Sequence, residues 1–226
     1  MSMSKTPEEL RGEISKLVSQ FAEMTFAAKP FVPGESLVPV TGKVLGAQEV
    51  QNMVDASLDA WLTTGRFNAL FEDRLAKYLG VKHALTVNSG SSANLVAFST
   101  LTSPRLGDRA IQKGDEVIGV AAGFPTTVNP ILQFGAIPVF VDVDLDTHNI
   151  DASKIEAAIG PKTKAIMPVH LFGQPADMVE IEALCEKYNL KLIEDACQSF
   201  GASINGKQTG AIGHAGGYSF FPSKNL

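Results

Sequence analysis

The chain has 226 residues, 45% of them apolar, and a formal net charge of −5. This is enough for one sizeable core, or one domain plus an arm, in a globular protein, and the acidic balance argues against nucleic-acid or anionic-membrane partners. Two cysteines, Cys185 and Cys197, are too few for a disulfide framework or a cysteine-only metal site, and no leader-like start or run of about 18 apolar residues occurs, so a soluble cytoplasmic protein is expected.

Thr6-Pro7-Glu8-Glu9 reads as a helix start, with Thr6 as cap, Pro7 at the first helical position and Glu9 closing a capping box. Leu10, Ile14, Leu17, Val18, Phe21 and Met24 recur at helical spacing, which predicts a helix to about Ala28 whose apolar stripe needs a partner surface. Pro30, Pro33, Gly34 and Pro39 make the following segment an extended arm. Val50, Met53, Val54, Leu58, Trp61 and Leu62 predict a second helix stopped by Gly65, and Phe67 to Leu79 a third, closed by Gly80.

From His83 short apolar runs alternate with helical patterns: Ala84–Val87 then Ser91–Leu101, Glu116–Val120 then Thr126–Phe134, Ile137–Val141 then Ala152–Ile159. Ala165–Val169, Asp177–Tyr188 and Lys191–Ile193 continue the series. Helices between strands imply right-handed crossovers and a mostly parallel sheet with helices on both faces. The strands lack polar alternation, as expected when both faces are covered. In such sheets ligands bind beyond the carboxyl ends of the strands, which directs attention to the residues after each run.

After the first run, Asn88-Ser89-Gly90-Ser91-Ser92-Ala93-Asn94 opens a helix. Its backbone N–H groups and hydroxyls suit a phosphate, and it also reads as a plain Ser N-cap. It is neither a Walker loop nor a dinucleotide fingerprint; Gly210, Gly213 and Gly216 are also wrongly spaced for one and precede a strand instead of following it. Phe124, after the second run, can stack on a flat ring or belong to the core. Asp142 and Asp144, after the third, read as turn caps and not as metal ligands. His170, after the fourth, is a base, a weak substrate contact or a satisfied buried histidine, and Asp177 with Glu180 reads as a cap pair.

The fifth run ends in acid, Glu194-Asp195, and is followed by Cys197 and Gln198. Strand alternation puts Asp195 and Cys197 on one face, and Gln198 within reach of a ring substituent. A Gly-rich connection, Gly201 to Gly217, returns to a second apolar run, Tyr218–Phe221, then Pro222-Ser223-Lys224. An Asp ending one buried strand and a Lys just past another is the arrangement that pyridoxal phosphate (PLP) needs: the lysine links covalently and the carboxylate keeps the pyridine nitrogen protonated. Ser219, five residues before Lys224, is a candidate phosphate ligand.

From about Gly42 to Leu226 the chain resembles the DegT/DnrJ/EryC1/StrS family of nucleotide-sugar aminotransferases, through NSGSSAN, VAAGFPTTVNPIL, PVFVDVD, HLFGQPADM, LIEDACQSFGA and GYSFFPSKNL. The resemblance implies a PLP fold-type I large domain (residues 42–226) behind an N-terminal helix and arm (residues 1–41), with the C-terminal small domain absent. It implies that Lys224 carries the covalent link, Asp195 pairs with the pyridine nitrogen, Gln198 contacts the cofactor and Phe124 stacks on the ring. Gly90, Ser91 and Ser219 would hold the phosphate, with Ser92 a further candidate; Cys197, by its place on the Asp195 face, would lie beside the ring or serve as a small buried hydrophobe. A homodimer, a nucleotide-sugar substrate of O-antigen or lipopolysaccharide biosynthesis and glutamate as amino donor are implied in the same way.

The likeness is divided. Residues 1 to about 165, through FAEMTFAAKPFVPGES, WLTTGRF and LTSPRLGDRAI, are most similar to the CDP-4-keto-6-deoxyglucose 3-dehydrases, which hold pyridoxamine phosphate and place a His where this chain has Lys224. HLFGQPADM and SFFPSKNL follow the aminotransferase pattern. The dehydrases' iron–sulfur cysteines would lie beyond Leu226, so this chain does not decide on them. Transamination needs a lysine, both to release product and to shuttle a proton, which favours an aminotransferase over a dehydrase. A chain stopping at Asn225-Leu226, directly after its candidate lysine, is expected to be a fragment, and an inactive or regulatory remnant is the non-enzymatic alternative.

Overall fold

A computed structural model describes residues 5–39 and 44–224. The expected boundary between residues 41 and 42 and the end of the SFFPSKNL segment lie outside the described residues. The chain forms two compact units, Met1–Arg74 and Leu75–Leu226.

In the first unit, α1 (Pro7–Thr25) starts with the expected capping box: Glu9 N donates to Thr6 Oγ1 at 3.2 Å, and Thr6 N to Glu9 Oε2 at 2.8 Å. It packs against α2 (Ala47–Leu58). Arg11 Nη1 bridges Asp55 (2.6 Å) and Asp59 (2.9 Å), and Arg66, the first residue of α3 (Arg66–Leu79), binds the same two carboxylates at 2.5 and 2.8 Å. The Arg66 and Arg11 hydrogen bonds hold both carboxyls below the usual range. α1 ends three residues before Ala28. α2 stops at Leu58 and not at Leu62, because Ala60 adopts a left-handed backbone (φ 49°) and the Trp61 indole N–H turns onto Thr64 O (2.9 Å).

The second unit is the parallel sheet. In chain order it contains α4 (Gly90–Leu101), β1 (Glu116–Val120), α5 (Pro125–Gln133), β2 (Ile137–Val141), α6 (Ile155–Ala158) and β3 (Thr163–Met167). There follow α7 (Met178–Tyr188), β4 (Lys191–Asp195), β5 (Ser203–Ile204), β6 (Lys207–Gln208) and β7 (Ala215–Gly217). The sheet order is β2-β1-β3-β4-β7, every pair parallel, and β5 and β6 form a separate antiparallel hairpin. Successive strand residues face opposite sides. Val117, Ala165, Met167 and Ile193 therefore pack with Phe98 and Leu101 of α4 and Ile131 of α5. Ile118, Ile166 and Leu192 pack on the other face with Met178, Ile181 and Leu184 of α7. β1, β3 and β4 are buried almost throughout, which is why their central residues, Val117–Val120, Ala165–Met167 and Leu192–Ile193, show no polar alternation.

Two expected strands are not assigned among the described residues. Ala84–Val87 is assigned to no strand, and Leu85 is 77% exposed. Tyr218–Phe221 is also irregular; the strand lies upstream, at β7, whose residues pair with Ile193–Asp195 and whose ladder ends where β4 ends. β7 escapes the pattern because it is Ala-Gly-Gly. A Cβ on Gly216 would stand 2.0 Å from Gly210 O, and one on Gly217 2.4 Å from Asn94 Oδ1, so close approach excludes the side chains that mark a strand. Gly216 accordingly lies in the strand and not before it. Among the described residues no helix is long and apolar enough to cross a membrane.

Candidate active site

β4 ends in two carboxylates, and alternation sends them to opposite sides of the sheet. Asp195, 3% exposed, turns toward α4 and α5. Its Oδ2 accepts from Asn94 Nδ2 (2.7 Å) and Thr127 Oγ1 (2.6 Å), and its Oδ1 from Cys197 N (3.1 Å). Asn94 lies one turn into α4, on the face that also buries Gly90, Ala97 and Phe98. Its own Oδ1 is buried without a hydrogen-bond partner, so the Asp195 contact alone sets which way the amide faces. Thr127 sits in the first turn of α5, its N donating to Phe124 O (3.0 Å). Phe124 caps that helix at the end of β1 and is 63% exposed.

The Gly-Ser-Ser turn opens α4, with Ser89 as cap: Ser89 Oγ accepts from Ser92 N (3.1 Å) and lies 3.2 Å from Ser92 Oγ. Ser91 is exposed in the same turn. A Cβ on Gly90 would stand 2.7 Å from Ser219 Cβ and 2.8 Å from Cys197 Sγ. Gly90, Cys197 and Ser219 therefore meet, although 107 and 129 positions separate the last two from Gly90 (197 − 90 and 219 − 90). Cys197 is not on a continuing strand, as alternation implied. β4 has ended, and the turn from Cys197 N to Asp195 Oδ1 brings the thiol beside the carboxylate. Burial and then Asp195 push the Cys197 thiol up, while the Lys224 ammonium acts on it in the opposite direction. Lys224 is half-buried, its N donating to Phe221 O (2.8 Å) in a turn that Ser219 Oγ enters by accepting from Phe221 N (3.4 Å).

Gln198 and His170 are placed differently. Gln198 Oε1 accepts from Phe172 N (3.1 Å), a residue held at φ 54°, so the carbonyl is occupied and the amide N–H₂ faces away from that bond. His170 is a satisfied buried histidine: Nδ1 accepts from Ala176 N (3.0 Å) and Nε2 lies 3.0 Å from Glu194 Oε2. No substrate reaches a fully buried ring with both nitrogens used. Asp142 and Asp144 cap turns, the latter accepting from Asp146 N and Thr147 N.

Sequence reading missed Asn94, Thr127 and Glu194. Asn94 carried a signal, since it is a polar residue at helical spacing from Phe98 and Leu101 on an apolar face. Thr127 and Glu194 carried none strong enough to separate them from an ordinary first-turn Thr and an ordinary strand-end acid.

The donor set fits a phosphorylated pyridine. Asp195 Oδ1 has one donor where a carboxylate oxygen can take two. The N-terminus of α4 meets the Ser219 side chain at Gly90, where a Cβ would stand 3.1 Å from Ser219 Oγ, and a helix N-terminus with a hydroxyl beside it suits a phosphate. An amine, Lys224, follows Ser219 by five positions and is half-buried.

The model of the DegT/DnrJ/EryC1/StrS aminotransferase family matches residues 44–226. The lipopolysaccharide biosynthesis protein RfbH of Salmonella typhimurium (strain LT2) is 56% identical over 221 residues, which are 98% of this chain and 51% of that protein. The dTDP-4-dehydro-2,6-dideoxy-D-glucose 3-dehydratase of Saccharopolyspora spinosa is 41% identical over 196 residues, covering 87% of this chain and 42% of that one. Among solved structures, a variant of GDP-4-keto-6-deoxymannose-3-dehydratase (ColD) with bound GDP-perosamine superposes with a TM-score of 0.77 at 35% identity, over 82% of this chain and 48% of that one. The chain spans about half the length of the curated relatives it matches.

Proposed function

The chain belongs to the DegT/DnrJ/EryC1/StrS aminotransferase family, and from that premise we propose that it forms the PLP-binding part of an aminotransferase. The substrate in this reading is a nucleotide-linked 4-keto-6-deoxyhexose of lipopolysaccharide or related polysaccharide biosynthesis. The observation that carries the reading is Asp195, a buried carboxylate ending a central parallel strand, held by three donors beside the point where Gly90, Cys197 and Ser219 meet. The identity with RfbH supports the pathway class.

PLP, when bound, supplies an electron-poor ring that stabilises negative charge at a neighbouring carbon. Asp195 would hold the proton on the ring nitrogen, with Asn94 and Thr127 keeping its carboxylate from rotating away. Gly90, Ser91, Ser92 and Ser219 would hold the phosphate, Phe124 would cover one ring face, and Cys197 would lie beside the ring. Gln198, its carbonyl occupied by Phe172 N, serves as a donor to a ring oxygen. Lys224 Nζ would be the amine that holds the cofactor covalently and would move the proton during transfer, of which a histidine could supply only the proton movement. Glutamate as amino donor, a homodimer and a cytoplasmic location are parts of the same reading, supported by family likeness.

C3 dehydration with pyridoxamine phosphate is the second reading, favoured by the 3-dehydratase relative. Incubation with PLP, glutamate and a nucleotide-linked 4-keto-6-deoxyhexose separates the two by the mass of the product: an amino sugar supports transamination, a 3-deoxy keto sugar supports dehydration. With PLP alone, borohydride should fix a label on Lys224; a label elsewhere, or none despite bound cofactor, removes Lys224 from the role.

A further inference from the structure

Glu194 points away from Asp195 and is fully buried. Its Oε1 accepts from Ile212 N (2.7 Å) and Gly213 N (2.6 Å), and its Oε2 from Gly210 N (2.7 Å). The fourth contact is His170 Nε2 at 3.0 Å. Ala176 N donates to His170 Nδ1, so that nitrogen bears no proton and Nε2 must be the donor to Glu194. Four N–H groups fill a carboxylate's acceptor sites, which leaves none for a ligand.

Three of the four donors belong to the Gly-rich return that leads into β7. That return lies against β4 so closely that a Cβ on Gly213 would stand 2.7 Å from Leu192 O. Tyr218, the residue after β7, donates its hydroxyl to Thr209 O, tying the far end of the same loop. Lys224 follows β7 by seven positions (224 − 217). The chain therefore reaches its candidate amine through a glycine-rich segment that Glu194 grips at three backbone N–H groups, next to the His214–Leu192 bonds and the β7 ladder on β4.

We infer that Glu194, with His170 behind it, is a positioning residue that sets the Lys224 segment in register with Asp195; the inference rests on the function proposed above. Two adjacent acids divide the work, Asp195 facing the ring and Glu194 fixing the strand that carries the amine. Glu194→Gln keeps the size but presents N–H₂ to at least one backbone N–H or to His170 Nε2–H. His170 cannot absorb the change by switching tautomer, because Nδ1 would then confront Ala176 N–H.

The experiment compares wild type, E194Q and the milder H170Q in three measurements: PLP affinity, the fraction of bound PLP that borohydride fixes on Lys224, and amide exchange over residues 210–217. Expected for E194Q are a PLP affinity within about threefold of wild type, a label per bound cofactor reduced about tenfold or more, and exchange of 210–217 faster by a similar factor, as one unpaired buried donor implies. H170Q should fall between the two, and decides the matter if E194Q does not fold. Faster exchange with an unchanged label on Lys224 would make Glu194 purely structural and overturns the inference; unchanged exchange overturns it as well. A wild type that takes no label on Lys224 overturns the functional reading, and this inference with it.

Discussion

Thr127→Val tests the Asp195 site with little change of shape. The substitution exchanges a hydroxyl for a methyl at a position 2% exposed and removes the 2.6 Å donor to Asp195 Oδ2. A hydrogen bond to a carboxylate contributes about 1.5–3 kcal/mol net, and Asn94 Nδ2 stays on the same oxygen, so a loss of about 2 kcal/mol is expected. For a unit of this size that lowers the melting temperature by roughly 4–8 °C. Thr127→Ser keeps the hydroxyl and should lose less than half as much. Thermal melts of the three proteins without cofactor give the answer. A valine variant that melts with wild type, or a serine variant that falls as far as valine, would show that the Thr127 hydroxyl is not bonded to a buried carboxylate, and would refute the geometry drawn for Asp195.

Asp195→Asn should lower turnover about 100-fold or more while cofactor still binds through its phosphate, the scale seen when one preorganised electrostatic group is lost; an unchanged rate removes Asp195 from the ring nitrogen. Asp55 and Asp59 are held below their ordinary 3.8 by Arg66 and Arg11. Their contribution to the helices of the first unit is therefore complete above that value and is lost as pH falls through the depressed folded-state values; circular dichroism of wild type and Arg66→Gln between pH 5 and about 2 should show a step in wild type that shrinks in the variant. Burial pushes the Cys185 thiol up to about 12, and raises that of Cys197 as well. Both should react with a thiol reagent at pH 8 at least about tenfold more slowly than in denaturant, and a fast thiol in the native protein would contradict this burial.

β1 and β2 were legible to the residue because each is a continuous apolar run with turn residues ahead of it, Gly114 and Gly135, both at positive φ. The capping box of α1 was legible because its partners are three residues apart. β7 was not, since its identity as a strand comes from what Asn94 and Gly210 press against it and not from its own side chains. The same distance in sequence hid the surroundings of Asp195: Asn94 is 101 positions away and Thr127 is 68. Asp195 itself could be picked out because strand ends are where such sheets bind ligands. Its supporting donors could not, because a polar residue declares a buried partner only when that partner is in place.

The split of Glu194 and Asp195 across the sheet makes β4 sensitive to length. A side-chain period of two means that one residue inserted or deleted in β4 exchanges the faces of everything beyond it. The acid gripping the glycine loop would then face α4 and α5, and Asp195 would face His170. Substitutions in β4 can be absorbed one at a time, whereas an indel there reverses both acids at once. The hairpin of β5 and β6, turning through Asn205-Gly206 at positive φ on the surface, carries no such parity. Natural length variation, or an engineered tag, is therefore expected at Asn205-Gly206 and not within Lys191–Asp195.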